Sequence, residues 1–184
     1  LAMEEFRLSA GDSDVDACFA AFIVQRNRPR FFPGALEALA ELHRRGFRLG
    51  AVTDGNADVF AIPELQGLFS FAVTAGQVGC AKPDPRIFAR AVELAGCPAA
   101  DMVYVGDNYG KDVLGSTAAG MQAVWVSNPC LAADPRYKDH CWGSLPEAPE
   151  NPLAAARAVV RSLPELLGML TEPAAPPSSS SGGS

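Results

Sequence analysis

The chain has 184 residues, 48% hydrophobic and 20% charged, which is enough for one globular domain with its own core. Fifteen Lys plus Arg against 21 Asp plus Glu leave a net charge of −6, a surface that repels polyphosphate and disfavours nucleic acid or anionic lipid as a main partner. No apolar run approaches the roughly 18 residues of a membrane span, and no basic segment followed by an apolar one forms a leader, so no membrane partner is expected.

Cytoplasm is the default compartment. The chain opens on Leu1 rather than Met, which reads as a missing N-terminus in which any organelle targeting would be encoded. Five cysteines (Cys18, Cys80, Cys97, Cys130 and Cys141) form no Cys-x-x-Cys pair and read as reduced thiols. His43 and His140 have no His or Cys at ligand spacing.

In chain order, a helix is expected after Asp12 and Ser13, with Val15, Cys18, Phe19, Phe22 and Ile23 at spacings of three and four, ending near Arg28 and Pro29. A turn at 31–34 leads to a second amphipathic helix with Leu36, Leu39 and Leu42 inward and Gly46 as its stop. Residues 47–52 read as a strand running into the polar loop Thr53, Asp54, Gly55, Asn56, and 69–73 as another strand. Asp84 and Pro85 supply an N-cap and an N1 proline for a helix that carries Ile87, Phe88, Ala91, Val92 and Leu94 to Gly96.

A strand at 102–105 then ends on Gly106 and Asp107. A helix follows at 113–121, a strand at 123–126, and a last helix within 153–170 interrupted at Pro164. The tail at 172–184 is Pro, Ala, Ser and Gly without period and reads as disordered. This alternation predicts an open, mostly parallel α/β sheet with its ligand site at the carboxyl ends of the strands.

Three polar clusters fall at those ends. Thr53 offers a hydroxyl directly after a buried strand, and Gly55 lets backbone approach an anionic oxygen; a plain loop with a helix cap uses the same residues. Lys82 precedes Pro83, which holds it extended, where it either neutralises a phosphate or carboxylate or simply meets solvent. Asp107 and Asp112, one ending a strand and one opening a helix, converge on a hard cation or serve as a capping pair.

The order of these clusters carries more than any one of them. The passages RLGAVTDGNAD, VGCAKPDPRIFARAVELAG and MVYVGDNYGKDVLGSTAAGM resemble the haloacid dehalogenase-like (HAD) superfamily of Mg²⁺-dependent phosphatases, over residues 31–128. The resemblance implies a Rossmann-like, HAD-type α/β sheet with helices on both faces, and Mg²⁺ as cofactor. It makes Thr53, Asp54, Gly55 and Lys82 the phosphate-binding residues, Lys82 also the catalytic cation, and Asp107 and Asp112 the metal residues, Asp107 directly and Asp112 through the metal's water shell. Asp54 stands where the family commonly has Asn.

The family's reaction needs an aspartate nucleophile and a second aspartate two residues on, both at the end of the first sheet strand; attack gives an aspartyl-phosphate that water hydrolyses. The Asp-x-Asp before Thr53, Asp12, Ser13, Asp14, is preceded by no buried strand and followed by a helical period. The chain therefore divides into a C-terminal remnant of a helical cap (1–30), an α/β core lacking its first strand (31–171), and the tail (172–184).

The expected function is phosphomonoester hydrolysis, with this 184-residue form inactive for want of the nucleophile. The substrate is a small phosphorylated metabolite; VTDGNA is similar to phosphatases of FMN and of phosphorylated riboflavin precursors. The alternative is a catalytically inactive remnant or splice form that acts as a binding protein. A metal-free dehalogenase does not need Asp107.

Overall fold

A computed structural model describes residues 12–127 and 150–170. The tail at 172–184 and residues Cys130, His140 and Cys141 lie outside the described residues. Cys18, Cys80 and Cys97 are free thiols. No described helix is long and apolar enough to cross a membrane.

Helix α1 (Asp12–Arg26) and helix α2 (Ala35–Arg44) lead into β1 (Leu49–Thr53). Two 3₁₀ turns separate β1 from β2 (Phe69–Thr74), which is followed by the short α3 (Ala75–Val78) and by α4 (Pro85–Ala95). Next come β3 (Val103–Gly106), a π-helical turn at Tyr109–Leu114 that continues as α5 (Gly115–Ala118), and β4 (Gln122–Val126). After the undescribed segment, β5 (Ala158–Val160) and α6 (Leu166–Met169) complete the described residues.

Among the described residues all strand pairs are parallel, as the strand–helix rhythm predicts. They form two groups, β1–β2 and β3–β4–β5; among the described residues β1 and β3 share no ladder hydrogen bonds. Strand alternation sends successive side chains to opposite faces. Val103, Val105, Val124, Val126 and Val160 face a cluster with Leu163 and Leu166, on the side that α2 also covers through Arg45, whose Nη1 donates to Leu167 O at 2.7 Å. Tyr104 turns to the other face and meets α4, where its ring lies edge-on to Phe88 at 5.4 Å between centroids. Helices thus cover both faces.

Helix α4 is the element that joins the two strand groups. Asp84 accepts a hydrogen bond from Arg86 N at its start, and Gly96 closes it with a positive φ of 65°. Its inner residues Ile87, Phe88 and Ala91 are essentially inaccessible and pack on Phe71 and Val73 of β2 as well as on Tyr104 of β3. Burying such a stripe stabilises the fold by about 1.5–3 kcal/mol per large side chain. Arg48 satisfies the carbonyls left open at the end of α4, donating to Leu94 O and Ala95 O at 3.1 and 2.6 Å.

Three expectations need correction. Within 153–170 the last helix is confined to Leu166–Met169, and Ala158, Val159 and Val160 instead form β5 on the edge of β4, because β-branched neighbours and a free strand edge outweigh the weak helical period. In α2 the buried residues are Ala35, Ala38 and Leu42, and Leu36 and Leu39 are only partly covered; close packing selects the small side chains. Helix α1 forms where its spacing predicts, with Val15, Phe19 and Phe22 about half exposed and Ile23 partly covered. The helix expected at 113–121 begins at Tyr109 and closes at Ala118.

Candidate active site

The carboxyl ends of β1 and β3 bring the three polar clusters to one place. Thr53 is the last residue of β1, and its Oγ1 accepts the Gly55 N–H at 3.0 Å, which leaves the hydroxyl proton free to donate elsewhere. Asp54 points the other way: Oδ1 accepts the backbone N–H of Lys82 at 2.9 Å and Oδ2 meets Lys111 Nζ at 3.1 Å. Burial, the largest influence on Asp54, pushes its pKa up. The Lys82 N–H and the Lys111 ammonium together outweigh it and hold the carboxyl below the usual range.

Lys82 follows the turn that ends α3 at Gly79, and the Lys82–Pro83 peptide is cis. The Asp54 carboxylate anchors its backbone, so the side chain runs inward. Its ammonium lies 2.7 Å from Asp112 Oδ1, 3.5 Å from Val52 O and 5.9 Å from the centre of the Tyr104 ring. The solvent-facing alternative for Lys82 does not describe it: its side chain is 13% exposed and that of Asp112 5%.

Asp112 is held from several sides. Asn108 caps the π-helical turn by accepting Lys111 N–H, and its own N–H donates to Asp112 Oδ2 at 3.0 Å. Tyr104 OH reaches Asp112 Oδ1 at 3.4 Å. A Cβ on Gly106 would lie 2.4 Å from Asp112 Cβ and Cγ, so only glycine at the end of β3 lets that carboxylate fold back over the strand. Burial first, then the charge of Asp112, raises the Tyr104 phenol.

Asp107 stands beside this group with its backbone carbonyl accepting Trp125 Nε1–H at 2.9 Å. Burial and then the negative charge of Asp112 push its carboxyl above the ordinary value. A carboxylate disfavoured by its neighbours fits a hard cation, which relieves both influences. Asp112 has both oxygens engaged by Lys82, Tyr104 and Asn108, so it suits an outer role. Among the described residues no three His, Cys, Asp or Glu side chains gather as a metal cage; Mg²⁺ needs only one or two carboxylates when water and phosphate complete its shell.

The structure therefore joins Asp54, Lys82 and Asp112 directly and sets Thr53 and Asp107 at the two strand ends that flank them. Lys111 and Tyr104 were not singled out from sequence. Lys111 lies inside the Asp107–Asp112 passage, but its partner Asp54 is 57 residues away and nothing local announces the pairing. Asp12 and Asp14 open helix α1 and end no strand. A separate open cavity of about 590 Å³, lined by Ala72, Arg86, Arg90 and Glu93 among others, lies on the outer side of α4 and contains none of these residues.

A family model described as haloacid dehalogenase-like hydrolase matches residues 4–120. Phosphoserine phosphatase of Thermus thermophilus is 39% identical over 125 residues, covering 62% of this chain and 48% of that protein. Glyceraldehyde 3-phosphate phosphatase of Methanothermobacter thermautotrophicus is 34% identical over 119 residues, covering 60% of this chain and 50% of that protein. The chain spans about half the length of these curated relatives. A HAD phosphatase from Thermococcus onnurineus superposes with a TM-score of 0.65 at 24% identity, covering 92% of this chain and 69% of that one, a likeness of fold. With the family match running over more than half of its residues, the chain belongs to the haloacid dehalogenase-like hydrolase family.

Proposed function

We propose that this chain carries the phosphate-binding and metal-binding side of a Mg²⁺-dependent phosphomonoester hydrolase that works through an aspartyl-phosphate. The observation that supports it most is the Lys82 ammonium, anchored at its backbone by Asp54 and aimed by Asp112 into the space between the ends of β1 and β3. An ammonium has three donors. With Asp112 taking one, the others serve a phosphoryl group as its charge develops.

The Thr53 hydroxyl, its oxygen already accepting from Gly55 N–H, donates to a second phosphoryl oxygen. Asp107 is the carboxylate for Mg²⁺, and Asp112 keeps Lys82 in place. When bound, the ion supplies positive charge to a phosphoryl oxygen. The attacking carboxylate belongs on an extended segment between β1 and β3, which share no ladder hydrogen bonds among the described residues. Its oxygen forms a bond to phosphorus as the ester oxygen leaves with a proton; water then cleaves the acyl phosphate, releasing inorganic phosphate and restoring the carboxylate.

The domain division follows from the same reading: 1–30 as cap remnant, 31–171 as core short of that strand. The relatives, by their names, act on phosphoserine and glyceraldehyde 3-phosphate, which favours a small phosphorylated metabolite as substrate. A riboflavin-related substrate rests on VTDGNA alone. Because no described carboxylate occupies the attacking position, the 184-residue chain is expected to bind phosphate without turning over esters, which is also the reading of a binding remnant.

Calorimetry with inorganic phosphate and Mg²⁺, run beside a p-nitrophenyl phosphate assay, tests this. Binding that weakens at least ten-fold in both Lys82→Met and Thr53→Val, without turnover, supports it. Thr53→Val leaves the Lys82–Asp112 pair intact and guards against a folding defect. Unchanged binding in both variants, or turnover abolished by Asp12→Asn, contradicts it.

A further inference from the structure

The last turn of α1 reaches the site. Arg26 Nη2 lies 2.8 Å, and Thr53 Oγ1 3.4 Å, from the point that a Cβ on Gly55 would occupy. The guanidinium thus sits over the loop after β1, in space that only a glycine leaves open. Asn27, the next residue, fixes the approach: its Oδ1 accepts the Asp58 N–H at 2.9 Å, tying the end of α1 to the same loop.

Arg26 is exposed, and its guanidinium makes no hydrogen bond or ion pair among the described residues. The carboxylate on that loop, Asp54, is already taken by Lys82 N–H and Lys111 Nζ. In a chain of net charge −6, a cation with no partner among the described residues, beside the proposed phosphate site, is poorly accounted for by folding alone. Five donors in a planar fork match a carboxylate with two parallel hydrogen bonds.

We propose that Arg26 is a specificity residue: it binds a carboxylate on the part of the phosphomonoester that is not transferred. The proposal rests on the phosphatase reading above and adds the substrate class, a phosphorylated carboxylic acid. A carboxylate adds one negative charge to a chain whose net charge is already −6, whereas a second phosphate adds nearly two. The neighbourhood favours the former.

The test is calorimetric, on the full chain with Mg²⁺, using inorganic phosphate, phosphoglycolate, ethyl phosphate and ethylene glycol bisphosphate as probes. Phosphoglycolate is expected to bind about ten-fold more tightly than ethyl phosphate, the worth of one charge-assisted pair. Arg26→Gln brings that ratio close to one. Arg90→Gln, which removes the same charge on the outer side of α4, retains it. A wild-type ratio near one, a ratio that survives in Arg26→Gln, or tighter binding of the bisphosphate overturns the proposal while phosphate binding leaves the phosphatase reading standing. Failure of wild-type chain to bind inorganic phosphate overturns that reading and this proposal with it.

Discussion

The site contains two lysine–aspartate pairs that look alike in sequence and differ in physics. Lys82 and Asp112 meet at 2.7 Å with side chains 13% and 5% exposed; Lys111 and Asp54 meet at 3.1 Å with 49% and 27%. The inner pair has lost most of its water and depends on its partners for solvation. The outer pair shares its charges with solvent and salt, so little stability depends on it. The inner pair therefore fixes geometry, and the outer one tunes charge at the rim.

Breaking the inner pair is expected to have the largest effect. Lys82→Met leaves the Asp112 carboxylate buried without its cation and lowers the unfolding free energy by about 3–5 kcal/mol, measured by urea denaturation. The double variant Lys82→Met/Asp112→Leu should regain part of that loss, because it removes the stranded charge. A double variant no more stable than the single one contradicts a buried, mutually dependent pair.

Gly106→Ala comes next. The added methyl meets Asp112 Cβ and Cγ at 2.4 Å, and the carboxylate must leave its place against Asn108 N and Lys82. A cost of about 1–3 kcal/mol is expected, with phosphate binding lost alongside it. Wild-type stability in this variant would show that the close approach of Asp112 to β3 is not needed.

The outer pair should yield the smallest change. Lys111→Met costs under about 1 kcal/mol at neutral pH. The folded Asp54 carboxyl lies below its ordinary 3.8, so its stabilising contribution is present above the unfolded value and fades as the pH falls through the folded one. Removing Lys111 moves the folded value upward, and stability then depends less on pH across the acid range. A stability–pH curve unchanged by Lys111→Met contradicts that account of Asp54.

The same contrast explains what could be read from the sequence. Helix α4 was legible because local chemistry marks it: Asp84 and Pro85 start it, Gly96 stops it, and its apolar stripe repeats at helical spacing. The place of Asp107 at the end of β3 was legible because an apolar strand and a glycine precede it. β5 was not, since its three residues become a strand only through β4, more than 30 positions earlier. The buried face of α2 was misassigned because Leu36 and Leu39 are the more apolar, while Ala35 and Ala38 are the ones whose size lets the helix sit close. Arg26 gave no sign at all. Its importance arises from a missing Cβ at Gly55, 29 positions away, and such spatial coincidences leave no local pattern.

Crystals of the full chain soaked with tungstate and Mg²⁺ offer the most direct measurement. The account predicts the oxyanion within hydrogen-bond distance of Thr53 Oγ1 and Lys82 Nζ, with the cation on Asp107. An oxyanion settled instead between Arg86 and Arg90 in the outer cavity, with the ends of β1 and β3 empty, would contradict it.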